Sequence, residues 1–185
     1  MELIFFLGKT FLTFCLYVLI LRLWMQKVRV NFYNPITQFI VKITQPIIGH
    51  VRRFIPSIGK VDTATWMLLY LFALLKVMFI VYFASLQSLF DSVTFLFYAF
   101  VAILHAAGHL VFWLLFFRAI LSWISRGNSV ADEILYQLTE PLMAPIRRFI
   151  PPIGMIDVSF AIFAIALMFL NLFANNIFGL SWMIL

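Results

Sequence analysis

The sequence predicts an all-α membrane protein: four transmembrane helices forming two parallel repeats of a two-helix hairpin, each hairpin carrying a cytoplasmic, interfacial helix-turn-helix loop. Three observations predict it. Of the 185 residues 65% are apolar and only 11% charged, which leaves too little polar surface to cover a soluble globule, so lipid must act as solvent. Four apolar runs are each long enough for a hydrocarbon core about 30 Å thick, which takes roughly 20 helical residues. The third observation is self-similarity: Thr44-Gln-Pro-Ile-Ile-Gly-His-Val-Arg-Arg-Phe-Ile-Pro-Ser-Ile-Gly-Lys-Val-Asp62 aligns without a gap, 95 residues on, with Thr139-Glu-Pro-Leu-Met-Ala-Pro-Ile-Arg-Arg-Phe-Ile-Pro-Pro-Ile-Gly-Met-Ile-Asp157. Ten of nineteen positions are identical, so the chain divides into repeat 1 (residues 1–90) and repeat 2 (91–185).

The first span is expected from Leu3 to Trp24. Its start, Met-Glu-Leu-Ile-Phe-Phe, has no basic stretch and no small-residue cleavage site follows, so it is expected to be a retained span rather than a signal peptide. Cys15, the single cysteine, precludes an intramolecular disulfide or a cysteine-rich metal site. Lys9 is near enough to the helix end to snorkel.

The loop of residues 25–62 follows. Asn34-Pro35 predicts a helix start, because proline suits the first helical position. Ile36, Phe39, Ile40 and Ile43 then follow i, i+3, i+4, i+7 spacing opposite Thr37, Gln38 and Lys42, which predicts one apolar face on a helix lying in the interface or dipping into it. Pro46 is expected to break that helix, with Arg52 and Arg53 on a second short one. Pro56 and Gly59 enforce a turn, and Asp62 is placed to cap the second span, Thr65 to Leu89.

The connection Phe90-Asp91-Ser92-Val93 carries no Lys or Arg. The third span, Thr94 to Ser122, leads to the loop of residues 124–157, where Ser129 and Asp132 mark a helix start. Pro141 is expected to break that helix. Arg147 and Arg148 follow, then a turn at Pro151, Pro152 and Gly154, and Asp157 precedes the fourth span, Val158 to Leu185. Eleven of the thirteen Lys and Arg lie at the two long loops or their borders. The positive-inside rule therefore places both loops in the cytoplasm and both termini outside. That distribution gives the net charge of +6 a topological cause, and no nucleic-acid partner is expected.

Arg52, Arg53, Arg147 and Arg148 carry two readings: orientation of the loops, or two related anion sites for lipid phosphates or an acidic partner, which the planar guanidinium fork suits. Asp62 and Asp157 read as caps or partners of those arginines rather than as catalytic carboxylates, since no nucleophile or metal-ligand set accompanies them. Lys76 lies deep in the second span, where an ammonium is costly unless it faces protein or water. Asn171 is its repeat partner, and the two could form a clasp or line a permeation route. His105 and His109 share a helix face one turn apart; the 95-residue offset places Thr10 and Phe14 opposite them. With Ala106, Ala107 and Gly108 alongside, they read as a close helix contact, against a metal or haem environment. Trp24, Trp66, Trp123 and Trp182 read as interfacial anchors. No phosphate loop, nucleophile elbow or HExxH motif is present, and no metal or other cofactor is expected.

The duplicated Pro-x5-Arg-Arg-Phe-Ile-Pro-x2-Gly-x2-Asp segment between apolar runs resembles the YggT family of bacterial membrane proteins, related to the YlmG proteins of Gram-positive bacteria, cyanobacteria and plastids. The resemblance covers nearly the whole chain, which is similar in length to the two-copy proteobacterial form. It implies a non-enzymatic, multi-pass inner-membrane protein. Members are linked to osmotic and ionic stress tolerance, to division or nucleoid distribution, and to haem attachment in a plastid cytochrome b. The family motif carries over as Pro46, Arg52, Arg53, Phe54, Pro56, Gly59 and Asp62, and as Pro141, Arg147, Arg148, Phe149, Pro151, Gly154 and Asp157, with no catalytic role attached. Two functions follow as expectations: an accessory or assembly protein presenting its paired loops to membrane proteins or anionic lipids, or an ion or small-solute pathway supporting osmotic balance. Either is compatible with homo-oligomers.

Overall fold

The computed structural model describes residues 1–59, 62–86, 90–124, 129–149, 159–179, 182 and 185, with backbone alone at 122, 123 and 149. Pro151, Pro152, Gly154 and Asp157, the Phe149 and Trp123 side chains, Lys60 and Arg126 lie outside this description. The described residues form six helices: α1 Glu2–Val28, α2 Pro35–Arg52, α3 Thr63–Phe83, α4 Ser92–Ile124, α5 Val130–Phe149 and α6 Ser159–Phe178. Four of them, α1, α3, α4 and α6, are long and apolar enough to cross a membrane.

Helix ends follow local chemistry more closely than they follow the apolar runs. α1 continues past Trp24 and stops where Arg29 turns left-handed (φ 57°), with the Val30 amide returning to the Met25 carbonyl at 3.1 Å. α3 stops six residues before the expected Leu89 in the same way: Ser85 has φ 56°, its amide donates to Tyr82 O at 3.3 Å, and the Leu86 amide donates to Val81 O at 3.0 Å. Both are Schellman closures, built here without glycine. α6 ends at Phe178 before Gly179 (φ 57°), and Trp182 is again helical.

Neither Pro46 nor Pro141 breaks its helix. α2 runs through Pro46, and α5 runs through both Pro141 and Pro145. Each loop therefore holds one continuous helix where two short ones were expected. The single apolar face expected on α2 is also split: Ile40 is buried in a ridge with Thr37, Thr44 and Ile48, while Phe39 and Ile43 point outward with Ile47.

The chain divides into two compact units, one of Met1–Leu23, Ile40–Ala107 and Ile184–Leu185, the other of Trp24–Phe39 and Gly108–Met183. In the first, α1 and α3 meet at an aromatic cluster in which the Phe79 ring lies 6.1 Å from Phe5 and 4.6 Å from Phe83. Gly8 permits this approach, since a Cβ there would fall 2.3 Å from the Phe79 ring. In the second unit, Asn34 caps α2 by accepting from the Ile36 amide at 3.0 Å and donates to Val130 O at 3.0 Å, in the first turn of α5. Asn31 extends this seam, donating from its backbone amide to Gln137 Oε1 at 2.9 Å and from its side chain to Glu133 Oε1 at 3.1 Å. Ser129 and Asp132 form a reciprocal cap at the start of α5: the Asp132 amide donates to Ser129 Oγ and the Ser129 amide to Asp132 Oδ2, each at 3.1 Å.

Candidate functional site: the arginine brackets

An arginine at the end of an apolar helix reaches the surface helix twice in this chain. In the first unit, Arg22 of α1 donates to Thr44 Oγ1, to Gln45 Oε1 at 2.8 Å and to Val41 O at 3.4 Å. Thr44 Oγ1 in turn donates to Ile40 O at 2.7 Å. In the second unit, Arg118 of α4 donates to Thr139 Oγ1 at 2.5 Å and to Glu140 Oε2 at 3.1 Å, and Thr139 Oγ1 donates to Leu135 O at 2.6 Å. The Arg118 guanidinium also lies 4.9 Å over the Tyr136 ring.

Each bracket lies just before a proline inside its surface helix. Pro46 has no N–H to give the carbonyl one turn back, and its ring crowds that turn. Arg22 and Thr44 donate to the neighbouring carbonyls of Val41 and Ile40, not to that of Lys42, which Pro46 leaves without its amide. The same arrangement of arginine, threonine and carbonyl precedes Pro141.

By sequence alone, Arg22 and Arg118 are only border charges. An ungapped repeat conceals their equivalence, because they stand 96 residues apart while the loop motifs stand 95 apart. The readable signal is a lone arginine inside each apolar run, 22 residues before Thr44 and 21 before Thr139. In the spans, the 96-residue register pairs His105 and His109 with Lys9 and Thr13, rather than with Thr10 and Phe14.

Beyond α2 the motif closes on itself. Arg52 donates to Asp62 through Nη2 at 2.6 Å and Nε at 3.4 Å. The same carboxylate accepts from the Thr65 hydroxyl at 2.6 Å and caps α3 through the Thr65 amide at 3.4 Å. Burial works against the charge on Asp62, but the hydrogen bonds from Arg52 and Thr65 outweigh it and hold the carboxyl below the usual carboxylate range. Thr63 Oγ1 donates to Pro56 O at 2.7 Å, and Gly59 supplies the left-handed residue (φ 61°) of this turn. Arg53 and Phe54 are left exposed. In the second unit Arg147 donates to both oxygens of Glu140, at 2.9 and 3.0 Å, and Arg148 is exposed.

Lys76, Asn171, His105 and His109 each have their own surroundings among the described residues. Lys76 is fully buried and its Nζ has no hydrogen-bond partner there, with Lys9 within electrostatic reach. Asn171, in the other unit, is exposed and its Oδ1 accepts from Trp182 Nε1 at 2.6 Å. His105 is half-buried and His109 exposed. Beside them Ala106 is buried, whereas Gly108 has open space around it; the tightly packed glycine is Gly8. No group of three potential metal ligands occurs among the described residues.

The CCB3/YggT family model matches residues 1–83 and 97–178. A protein of Vibrio alginolyticus, titled for the 3' region of proC, is 46% identical over 177 residues, 96% of each chain. The protein YggT of Escherichia coli (strain K12) is 41% identical over 171 residues, covering 90% of this chain and 86% of its own. A Haemophilus influenzae protein is 38% identical over 167 residues, 90% of this chain and 88% of its own. No solved structure matches.

Proposed function

The chain belongs to the CCB3/YggT family, and from that premise we propose that it is a non-enzymatic, multi-pass inner-membrane protein presenting basic surface helices to membrane-protein partners or anionic lipids. Both loops lie on the cytoplasmic side in this reading, and both termini lie outside. The observation that carries it is the pair of brackets: an arginine toward the end of each of α1 and α4 holds a surface helix, and an arginine at the C-terminal end of that helix, Arg53 just past α2 or Arg148 within α5, is left exposed. A guanidinium held bare at a membrane border suits a phosphate or a carboxylate from another molecule. The family link to osmotic-stress tolerance supplies the physiological setting.

The deciding experiment is in vivo crosslinking from positions 53 and 148, followed by purification in mild detergent. A stoichiometric membrane-protein partner or co-purified anionic lipid, lost when Arg53 and Arg148 are both replaced by alanine, is the expected result. Lysine at both positions leaving recovery and stress tolerance unchanged would reduce the arginines to topological charges.

A second reading, an ion or small-solute pathway, is favoured by Lys76, an ammonium buried in a span without a hydrogen-bond partner among the described residues. Solute flux through the purified protein in liposomes, abolished by Lys76→Gln, would replace the first reading with this one.

A further inference from the structure

The first unit buries an ammonium that no carboxylate of the chain accompanies. Lys76 is 0% exposed and its Nζ has no hydrogen-bond partner among the described residues. It stands three residues past Ala73, the middle of α3, which puts it about 4.5 Å along the axis from the centre of a helix of membrane-crossing length. Each of the seven Asp and Glu of the chain lies at the start of a span or in a long loop, none within a span. A buried charge is held by an opposite charge or is not kept, so the balance for Lys76 has to come from outside the chain.

A second cation faces the same place. Phe5 of α1 and Phe79 of α3 stack at 6.1 Å, and Gly8 lets the two helices close there. Lys9 is one turn along α1 from Phe5, and Lys76 one turn along α3 from Phe79. The faces that meet at the rings therefore each carry a lysine one turn deeper in the span. Lys9 is half-buried and acts electrostatically on Lys76. Two like charges repel at that depth, and a single anion between them settles both. Burial fixes the size of that anion. Lys76 is fully enclosed, and Ala73 and Leu69 of α3 and Leu16 of α1, toward the other end of the span, are at most 1% exposed. A lipid headgroup or a side chain of another protein reaches Nζ only by opening the unit, whereas a small inorganic anion can pass beside Lys9.

We propose that α1 and α3 hold one small inorganic anion, of the charge and size of chloride, between Lys9 and Lys76, next to the Phe5, Phe79 and Phe83 rings. The site is particular to the first repeat, since Lys76 is matched in the second by Asn171, which is exposed. It goes beyond both readings of the function, because the chain holds this ion whether or not it lets one through.

The test is thermal unfolding of the purified full chain in neutral detergent, with gluconate, too bulky for the site, replaced stepwise by chloride at constant ionic strength. Wild type should gain roughly 3–6 °C by about 200 mM chloride, the shift that accompanies a tenfold change in the ratio of folded to unfolded protein. Lys76→Met should start higher in gluconate, since it lacks the unbalanced charge, and should not respond to chloride. Lys9→Gln keeps the buried lysine and should respond less than wild type, which preserves the test should Lys76→Met fail to fold. A wild type indifferent to chloride would mean that Lys76 is uncharged, and an equal response in Lys76→Met would be a bulk salt effect. The same gain from phosphatidylglycerol in gluconate would put a lipid phosphate at the site. Each of these three overturns the proposal. Flux in liposomes is read separately, so a chloride response without flux upholds the site and refutes the pathway reading.

Discussion

The two repeats keep one frame and fill it differently. In both, an arginine at the end of a span donates to a threonine whose hydroxyl turns back on its own helix. Around that frame, Gln45 faces Glu140 in the alignment, an exposed Ile43 matches a buried Leu138, and a buried Lys76 matches an exposed Asn171. What the two segments share is this chain from arginine to threonine to carbonyl just before a proline. Groups that differ between copies are free to take up separate work.

The largest effect expected from breaking the comparison is at Lys76. An ammonium in hydrocarbon without a partner costs about 3 kcal/mol relative to an apolar residue. Lys76→Met should therefore stabilise the protein by about 2 kcal/mol, once imperfect packing of the new side chain is allowed for. Asn171→Leu should change stability by less than about 0.5 kcal/mol, because Asn171 is exposed and loses one bond to Trp182. Thermal unfolding in detergent reads both. A loss of stability in Lys76→Met would mean that the lysine holds a partner or ligand, and would revive the pathway reading.

Asp62 comes next. Asp62→Ala removes the cap of α3 and leaves Arg52 without its carboxylate, which should cost about 2 kcal/mol. The effect also carries a pH signature. A carboxyl whose folded pKa is lowered adds stability that is fully present above its unfolded pKa, about 3.9, and is lost as pH falls through the lower folded value. Wild-type stability should therefore fall below about pH 4, and Asp62→Asn should flatten that part of the profile. An unchanged acid limb in Asp62→Asn would show that the carboxylate contributes nothing through its charge.

Most of the architecture is legible in the sequence, for reasons that separate cleanly from what is not. Apolar runs of membrane-crossing length need no tertiary knowledge, and neither do the capping residues Asn34, Ser129 and Asp62. The prolines mislead because tertiary contacts override local propensity: α2 runs through Pro46 while held to Arg22 and to Asp62, and α5 runs through Pro141 while held to Arg118. The brackets themselves are hidden by a one-residue change of register between span and loop. Exposure of Ile43 against burial of Leu138 is out of reach altogether, since the two are interchangeable in composition and differ only in what packs on them.

Two glycines give the smallest and sharpest contrast. The alanine-rich stretch around His105 and His109 marks Gly108 as the expected point of close helix approach, yet a methyl group added at Gly108 would meet nothing within 4 Å, whereas one at Gly8 would meet the Phe79 ring at 2.3 Å. Phe79 is held by Phe5 and Phe83, so it can yield to a methyl only by disturbing that cluster. Gly8→Ala should thus cost about 1 to 2 kcal/mol by overpacking. Gly108→Ala should instead stabilise by up to about 0.5 kcal/mol, because alanine loses less backbone freedom in a helix. Paired melting curves of the two variants decide it. Equal losses at both positions would mean that Gly108 meets another helix in the membrane, and a second copy of the chain would then be the first partner to look for by crosslinking at that position.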